Sequence, residues 1–326
     1  MKEKDIILEP RNNYNYSPDK SITYDSIIMG GGIAGFSAAM YAARLGMKAL
    51  VIGEMLGGTV ALTGAIENYP GFVSIRGFKL AELIENHARD YDIDIFNGIA
   101  DRIERKGRLF RVKAEKMIFK GKTVILATGS DVKKLGVPGE KEFLGNGVGY
   151  CAICDATQFK GRKVAIIGGG DSAVKEANLL TEYASKVYII NNEDRLHPEQ
   201  HNMKNLREKI RKGKVIVMNS IEITAIKGSG NVEKVIFNKP VNRKKELDVD
   251  GVFIYIGRIP VSTLAKDIGV RLNRKGEVRI NRNSETNIPG FYAAGDVTDI
   301  SWKQAIMGAA QGVSAAYHAY EYLNKG

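Results

Sequence analysis

Two glycine-rich turns constrain this chain more than any other feature. Gly30-Gly31-Gly32-Ile33-Ala34-Gly35 follows the apolar run Tyr24 to Met29. The small-residue stretch Phe36 to Leu45 comes next, Gly46 ends it, and a second apolar run, Met47 to Ile52, closes at Glu54. Strand, G-x-G-x-x-G turn, helix and strand in that order make a βαβ dinucleotide unit. The first glycine permits the tight turn, the second lets the backbone approach a pyrophosphate at the helix N-terminus, and the third allows close helix packing. Glu54 stands where an acid receives ribose hydroxyls.

The plan returns at Lys163 to Ile190. Val164 to Ile167 reads as a strand, Gly168-x-Gly170-x-x-Ala173 as the turn, Val174 to Tyr183 as a helix and Lys186 to Ile190 as the second strand. Two fingerprints so far apart predict two dinucleotides in two domains, one held tightly and one visiting. The apolar strand Val124 to Gly129 and its counterpart Asp250 to Gly257 mark the crossings, so the second domain is inserted into the first. The expected fold class is α/β, with two three-layer Rossmann-like domains. The first takes residues 1–131 and 259–326, and the inserted one residues 132–258. The chain returns to the first through Ile288 to Asp296 and ends in a small-residue helix from about Gln304 to Leu323.

The only two cysteines are Cys151 and Cys154, with Asp155 directly after. A Cys-x-x-Cys pair closes a small ring that opens easily, which suits thiol–disulfide exchange. So tight a loop removes little chain entropy, which argues against a purely structural bridge. Half of a zinc site completed by His197 and His201 is the other candidate, but a nucleotide-binding unit lies between and the spacing exceeds that of zinc fingers. No metal is therefore expected. With both cysteines in the exchange motif, a reducing cytoplasm fits.

The 44% hydrophobic and 26% charged content is that of an ordinary globular protein. The first 22 residues lack the apolar core of a secretory signal, and the glycine-rich run from Ile27 to Ala43 does not read as a membrane span. A net charge of +11 invites thoughts of nucleic acid. The basic residues are scattered, however, and the densest run, Lys204 to Lys214, lacks interleaved aromatics and reads as a solvated helix face.

Taken together, the two turns, Gly57-Gly58, Glu67 to Gly71, Ala127-Thr128-Gly129, the cysteine pair with Asp155, Gly168 to Ala173, Gly295-Asp296-Val297 and Gln304-Ala305 resemble the low-molecular-weight thioredoxin reductase family over nearly all of the chain from Tyr24. The resemblance implies a homodimeric flavoenzyme that passes electrons from a reduced donor through FAD to the cysteines and on to thioredoxin. It assigns to FAD Gly30, Gly32, Ile33, Ala34, Gly35, Glu54, Gly57, Gly58, Thr59, Asn68, Ala127, Thr128, Gly129, Gly295, Asp296, Lys303, Gln304 and Ala305. Gly168, Gly170, Asp171, Ser172 and Ala173 would hold a nicotinamide nucleotide. Cys154 would lie nearer the flavin, Cys151 would attack the partner disulfide, and Asp155 would shuttle the proton unless it only caps the following helix. The pair cannot face flavin and partner at once, so rotation about the crossings near Ser130 and Gly257 is expected.

The chain also departs from the family. Where NADPH-using members carry a His-Arg-Arg-Asp run and a further arginine, this chain reads Asn191-Asn192-Glu193-Asp194-Arg195-Leu196-His197. The arginine pair is absent at Asn192 and Glu193, and a 2'-phosphate would meet acids instead of forked cations. NADH is expected over NADPH, with a non-nicotinamide donor such as reduced ferredoxin or a deazaflavin as the alternative. Thr59 stands where the family commonly has glutamine. The polar leader before Tyr24 suggests only surface packing or disorder. A reductase of another disulfide protein, a glutaredoxin-like or peroxiredoxin-system component, is the nearest rival, and a non-catalytic redox sensor or zinc-stabilised module the more distant one.

Overall fold

Alternating apolar strands and small-residue helices assemble in the order the fingerprints require. The computed structural model describes residues 8–12, 14 and 16–325. The chain runs through β1 (Thr23–Met29), α1 (Ile33–Arg44), β2 (Ala49–Ile52), the single turn α2 (Gly58–Ala61), β3 (Ala65–Ile66), β4 (Ile75–Arg76), α3 (Gly77–Arg89) and β5 (Ile93–Phe96). A meander of β6 (Ala100–Lys106), β7 (Leu109–Ala114) and β8 (Met117–Leu126) follows, then β9 (Ser130–Val132). Next come β10 (Val148–Gly149), α4 (Ala152–Asp155), β11 (Lys163–Ile167), α5 (Asp171–Leu180), β12 (Lys186–Ile190), α6 (Gln200–Arg211) and β13 (Val215–Met218). The strands β14 (Ile223–Ser229), β15 (Asn231–Val241), β16 (Lys244–Asp248) and β17 (Gly251–Ile254) lead to β18 (Arg258–Pro260), α7 (Thr263–Asp267), β19 (Phe291–Ala293) and α8 (Ala305–Asn324).

Two compact units result: Met1–Asp131 with Ile259–Gly326, and Val132–Arg258. In the first, the sheet order is β5-β2-β1-β8-β7-β6, with β19 beside β8. On the edge away from β1, β8 serves two neighbours, pairing antiparallel with β7 over its first half and parallel with β19 over its last three residues. β1 and β2 lie in the middle and bury both faces, which is why they read as continuous apolar runs. The second unit has a parallel sheet in the order β10-β17-β11-β12-β13 and a separate antiparallel sheet, β14-β15-β16. Each unit has its own apolar clusters.

Both fingerprint helices start three residues before the sequence-based bounds, α1 at Ile33 and α5 at Asp171. The middle glycine of each turn is the extended N-cap residue, so the last three fingerprint residues already form the first helical turn. Small residues bring α8 against α1: a Cβ on Gly312 would stand 2.2 Å from the carbonyl oxygen of Ala34.

The leader has a definite seat where it is described. Ile95 of the edge strand β5 donates its N–H to the Tyr16 carbonyl at 2.9 Å, and the Tyr16 hydroxyl donates to Arg89 O at 2.7 Å. The Arg11 guanidinium forks onto Asp90 at the end of α3, and the Arg11 N–H donates to the same carboxylate at 2.6 Å. This contact holds the Asp90 carboxyl below its ordinary range. Residues 1–7, 13 and 15 of the leader lie outside the described residues.

Candidate redox and dinucleotide sites

The first glycine cradle is built of backbone against backbone. Gly30 has φ +122°, and a Cβ there would lie 2.2 Å from Ala127 O; a Cβ on Gly35 would lie 1.9 Å from Gly30 O. The loop after β2 closes over the turn, Gly57 donating its N–H to Gly31 O at 2.7 Å, while a Cβ on Gly58 would press on Gly32 Cα at 3.0 Å. Gly53, which sequence reasoning passed over, belongs to this packing, since its Cβ would meet Gly31 N at 2.5 Å. Its signal is a glycine directly between β2 and Glu54.

Gly32 makes no side-chain cap to α1, and the first turn of that helix carries no acid. The leading N–H groups and the positive end of the helix dipole therefore suit a pyrophosphate, and the residues fit a dinucleotide such as FAD. Ile33 is buried with Ile66 and Leu80, and the Ala34 methyl faces Gly295 and Gly308, so both serve packing. Glu54 is exposed beyond β2.

Residues far apart in sequence converge in this unit. Asn68 donates its amide to Gln304 Oε1 at 3.1 Å, directly before Ala305 opens α8. The Thr128 hydroxyl, beside Ala127 and Gly129, donates to Val261 O at 2.7 Å. Asp296 accepts a 3.5 Å bond from the Ser130 hydroxyl, and Gly295 donates its N–H to Gln311 Oε1 at 2.8 Å. Gln311 escaped the sequence analysis, although a carboxamide in the small-residue part of the helix is its signal. Lys303, assigned to the cofactor by resemblance, is turned onto Glu277 and Asp296 O, where it braces the acidic turn. Thr59 lies in α2 beside Gly58.

The second cradle repeats the geometry with different chemistry. Gly168 has φ +132°, and its Cβ would lie 2.2 Å from Tyr255 O. His197 takes the part of Gly57, donating its N–H to Gly169 O at 2.8 Å. Asn191 is buried after β12 and donates its amide to Arg195 O at 2.8 Å and Glu193 O at 3.3 Å. His197 Nε2 lies 2.8 Å from Glu193 Oε2. Asn192 is exposed beside them. Asp171 stands in the first turn of α5, where its carboxylate accepts the Glu199 N–H and the Asn202 amide, both at 2.8 Å. Ser172 is exposed, and Ala173 is buried against the sheet.

The cysteines of this unit are bridged, with Cα atoms 5.4 Å apart. Cys151 precedes α4 and is partly covered, whereas Cys154 is exposed. Both sulfurs are committed to the bridge, and His197 is paired with Glu193, so the four groups of the zinc alternative are not assembled. Asp155 makes no side-chain cap to the turn that follows, contrary to the capping alternative; its Oδ1 instead accepts a 3.3 Å bond from Gln158. Upstream, Glu140 accepts the Tyr150 hydroxyl at 2.7 Å and the N–H groups of Leu135, at 2.8 Å, and Gly136. Burial pushes its carboxyl up, but these donors outweigh burial and hold it below the usual range. Among the described residues no helix is long and apolar enough to cross a membrane.

Known proteins resemble the chain over most of its length. The pyridine nucleotide-disulphide oxidoreductase family matches residues 24–318. A thioredoxin reductase of Bacillus subtilis is 36% identical over 93% of this chain and 95% of its own length. A component of the alkyl hydroperoxide reductase of Pseudomonas putida is 37% identical over 92% of this chain, which spans 58% of that protein. Among solved structures, thioredoxin reductase of Lactococcus lactis has TM-score 0.88 at 32% identity, covering 93% of this chain and all of that one. A ferredoxin-flavin thioredoxin reductase of Clostridium acetobutylicum has TM-score 0.51 at 34% identity, covering 93% and 99%.

Proposed function

Because the chain belongs to the pyridine nucleotide-disulphide oxidoreductase family, we propose that it is a homodimeric FAD-dependent thioredoxin reductase of the cytoplasm, with Cys151 and Cys154 as its exchanging pair. The bridged cysteines on the unit that carries the second cradle are the observation that carries this reading. FAD, when bound at the Gly30 cradle, supplies an acceptor for the donor's electrons and a source for the disulfide. Opening the bridge takes two electrons and two protons and leaves two thiols. Cys151, as thiolate, attacks the partner disulfide, and the mixed disulfide is resolved by Cys154, which restores the bridge and releases the partner as a dithiol. Asp155, one residue from Cys154, is the group at hand to carry a proton.

For the donor we infer NADH over NADPH. A 2'-phosphate at the second cradle would face Glu193, already paired with His197, and exposed Asp194 with no forked cation at Asn192. The relative from Clostridium acetobutylicum, whose name includes ferredoxin, favours a protein donor as the second reading. Anaerobic titration of the flavoprotein with each nucleotide separates these. NADH should bleach the flavin faster than NADPH, and the reverse order would overturn the inference. Reduction by ferredoxin alone would support the second reading. Serine at both cysteine positions should abolish thioredoxin reduction; undiminished turnover would sink the reading as a whole.

A further inference from the structure

The two units match at the position beneath the glycine turn. Ala127 donates its N–H to Met29 O at 2.7 Å, and Tyr255 donates its own to Ile167 O at 2.7 Å. Each carbonyl oxygen then packs under the first glycine of its turn. The position thus needs no side chain larger than a methyl. In the inserted unit it nevertheless carries a tyrosine, packed against a cluster that contains Ala152, Ala173, Val174 and Ala177. Its Oη accepts the Ala152 N–H at 2.7 Å, and Ala152 stands between the two cysteines. One residue therefore touches the nucleotide turn with its backbone and the redox loop with its side chain.

Glu176 lies on the same stretch of α5 as Ala173, Val174 and Ala177. Its side chain is buried, and its Oε2 makes no hydrogen bond among the described residues. Burial pushes its carboxyl up, opposed only by Lys175 of the same helix. Burial likewise raises the Tyr255 phenol, with the charge of Glu176 and then that of Asp155 from α4 adding to the effect. A buried carboxyl with an unbonded oxygen is costly to ionise. The exchange chemistry above does not use it.

We propose that Glu176 is a proton-holding residue for the Cys151–Cys154 couple and acts on it through Tyr255, the positioning residue of the redox loop. The proposal rests on that pair being redox-active. When a dithiol such as dithiothreitol opens the bridge, it delivers two electrons and closes to its own cyclic disulfide. A thiolate formed on the loop then adds negative charge near Glu176 and holds its proton in place. Wherever Glu176 would be ionised in the bridged form, reduction draws in one further proton from solvent.

The test equilibrates the flavoprotein, without oxygen, in mixtures of reduced and oxidised dithiothreitol across neutral and mildly alkaline pH. The reduced cysteines are counted by alkylation. Glu176→Gln should make the equilibrium constant rise more steeply with pH, because the proton released with the thiolate is no longer taken up, while the thermal midpoint is kept. Tyr255→Phe should shift that constant toward the dithiol by about threefold or more, the scale of one hydrogen bond. An unchanged pH dependence in the first variant, or an unchanged constant in the second, would overturn the proposal. Should either variant fail to fold, proton uptake by the wild-type protein, read with an indicator dye, decides. Uptake beyond that of the thiols supports the proposal, and uptake equal to it refutes the proposal. No protein acceptor is involved, so these outcomes are independent of whether thioredoxin is the substrate.

Discussion

At Gly35 the fold leaves no room for a side chain: a methyl there would stand 1.9 Å from the Gly30 carbonyl oxygen. Both atoms belong to backbone, so neither can swing aside. Gly35→Ala should cost roughly 1–3 kcal/mol or more by overpacking and should release flavin. Flavin fluorescence after gel filtration checks it, with Gly308→Ala in α8 as the reference, because a Cβ there would make only ordinary contacts, the nearest at 3.7 Å. The positions read from the fingerprint are those where chemistry and sterics coincide. Gly53 and Gln311 were not legible, because their roles depend on what comes to lie beside them. Asn191 shows the same limit. Its sequence position speaks only of nucleotide choice, as the first residue of the run that departs from the family, whereas its amide holds the loop from Glu193 to Arg195 in place.

At the scale of elements, the segment before the redox loop depends on one carboxylate. Glu140 is depressed by its donors, so its contribution to stability is fully present above the ordinary glutamate value, about 4.3. That contribution is lost as pH falls through the lower value of the folded state. Glu140→Gln should lower the thermal midpoint near neutral pH and weaken its fall toward acid, which a pH series of melting curves would show. The leader is the other element to test. Removing residues 1–16 deletes the Arg11–Asp90 pair and uncovers the β5 edge. The thermal midpoint should fall, since the buried Asp90 loses its partner and the leader's backbone and hydroxyl bonds go with it, and the bare edge should raise aggregation. Light scattering alongside calorimetry reads both. The leader's polar composition gave no hint of this seat, because an edge strand accepts any backbone of suitable reach.

For the whole molecule, each unit closes its own apolar clusters around its own sheet. Calorimetry should therefore resolve two unfolding transitions. Added FAD should raise only that of the first unit, by about 2.7 kcal/mol at one hundred times its dissociation constant. A single transition that moves as a whole would contradict this independence. The α/β class and the duplicated plan could be read from the chain because the first glycine of each turn, Gly30 and Gly168, stands where no side chain fits. The antiparallel sheet of β14, β15 and β16 could not, since its strands carry no fingerprint and leave many positions exposed.

The clasp that closes each cradle has a kinetic consequence. Where Gly57 and Gly58 close the first, no side chain stands at the closure and nothing beyond backbone has to be displaced, so a dinucleotide held there is expected to leave slowly. Where His197 and its carboxylate partner close the second, a nucleotide would have to contend with a side-chain pair at the threshold, and a briefer stay is expected. One scaffold thus furnishes both a permanent lodging and a revolving door, and what separates them is whether the closing residue carries anything beyond its α-carbon.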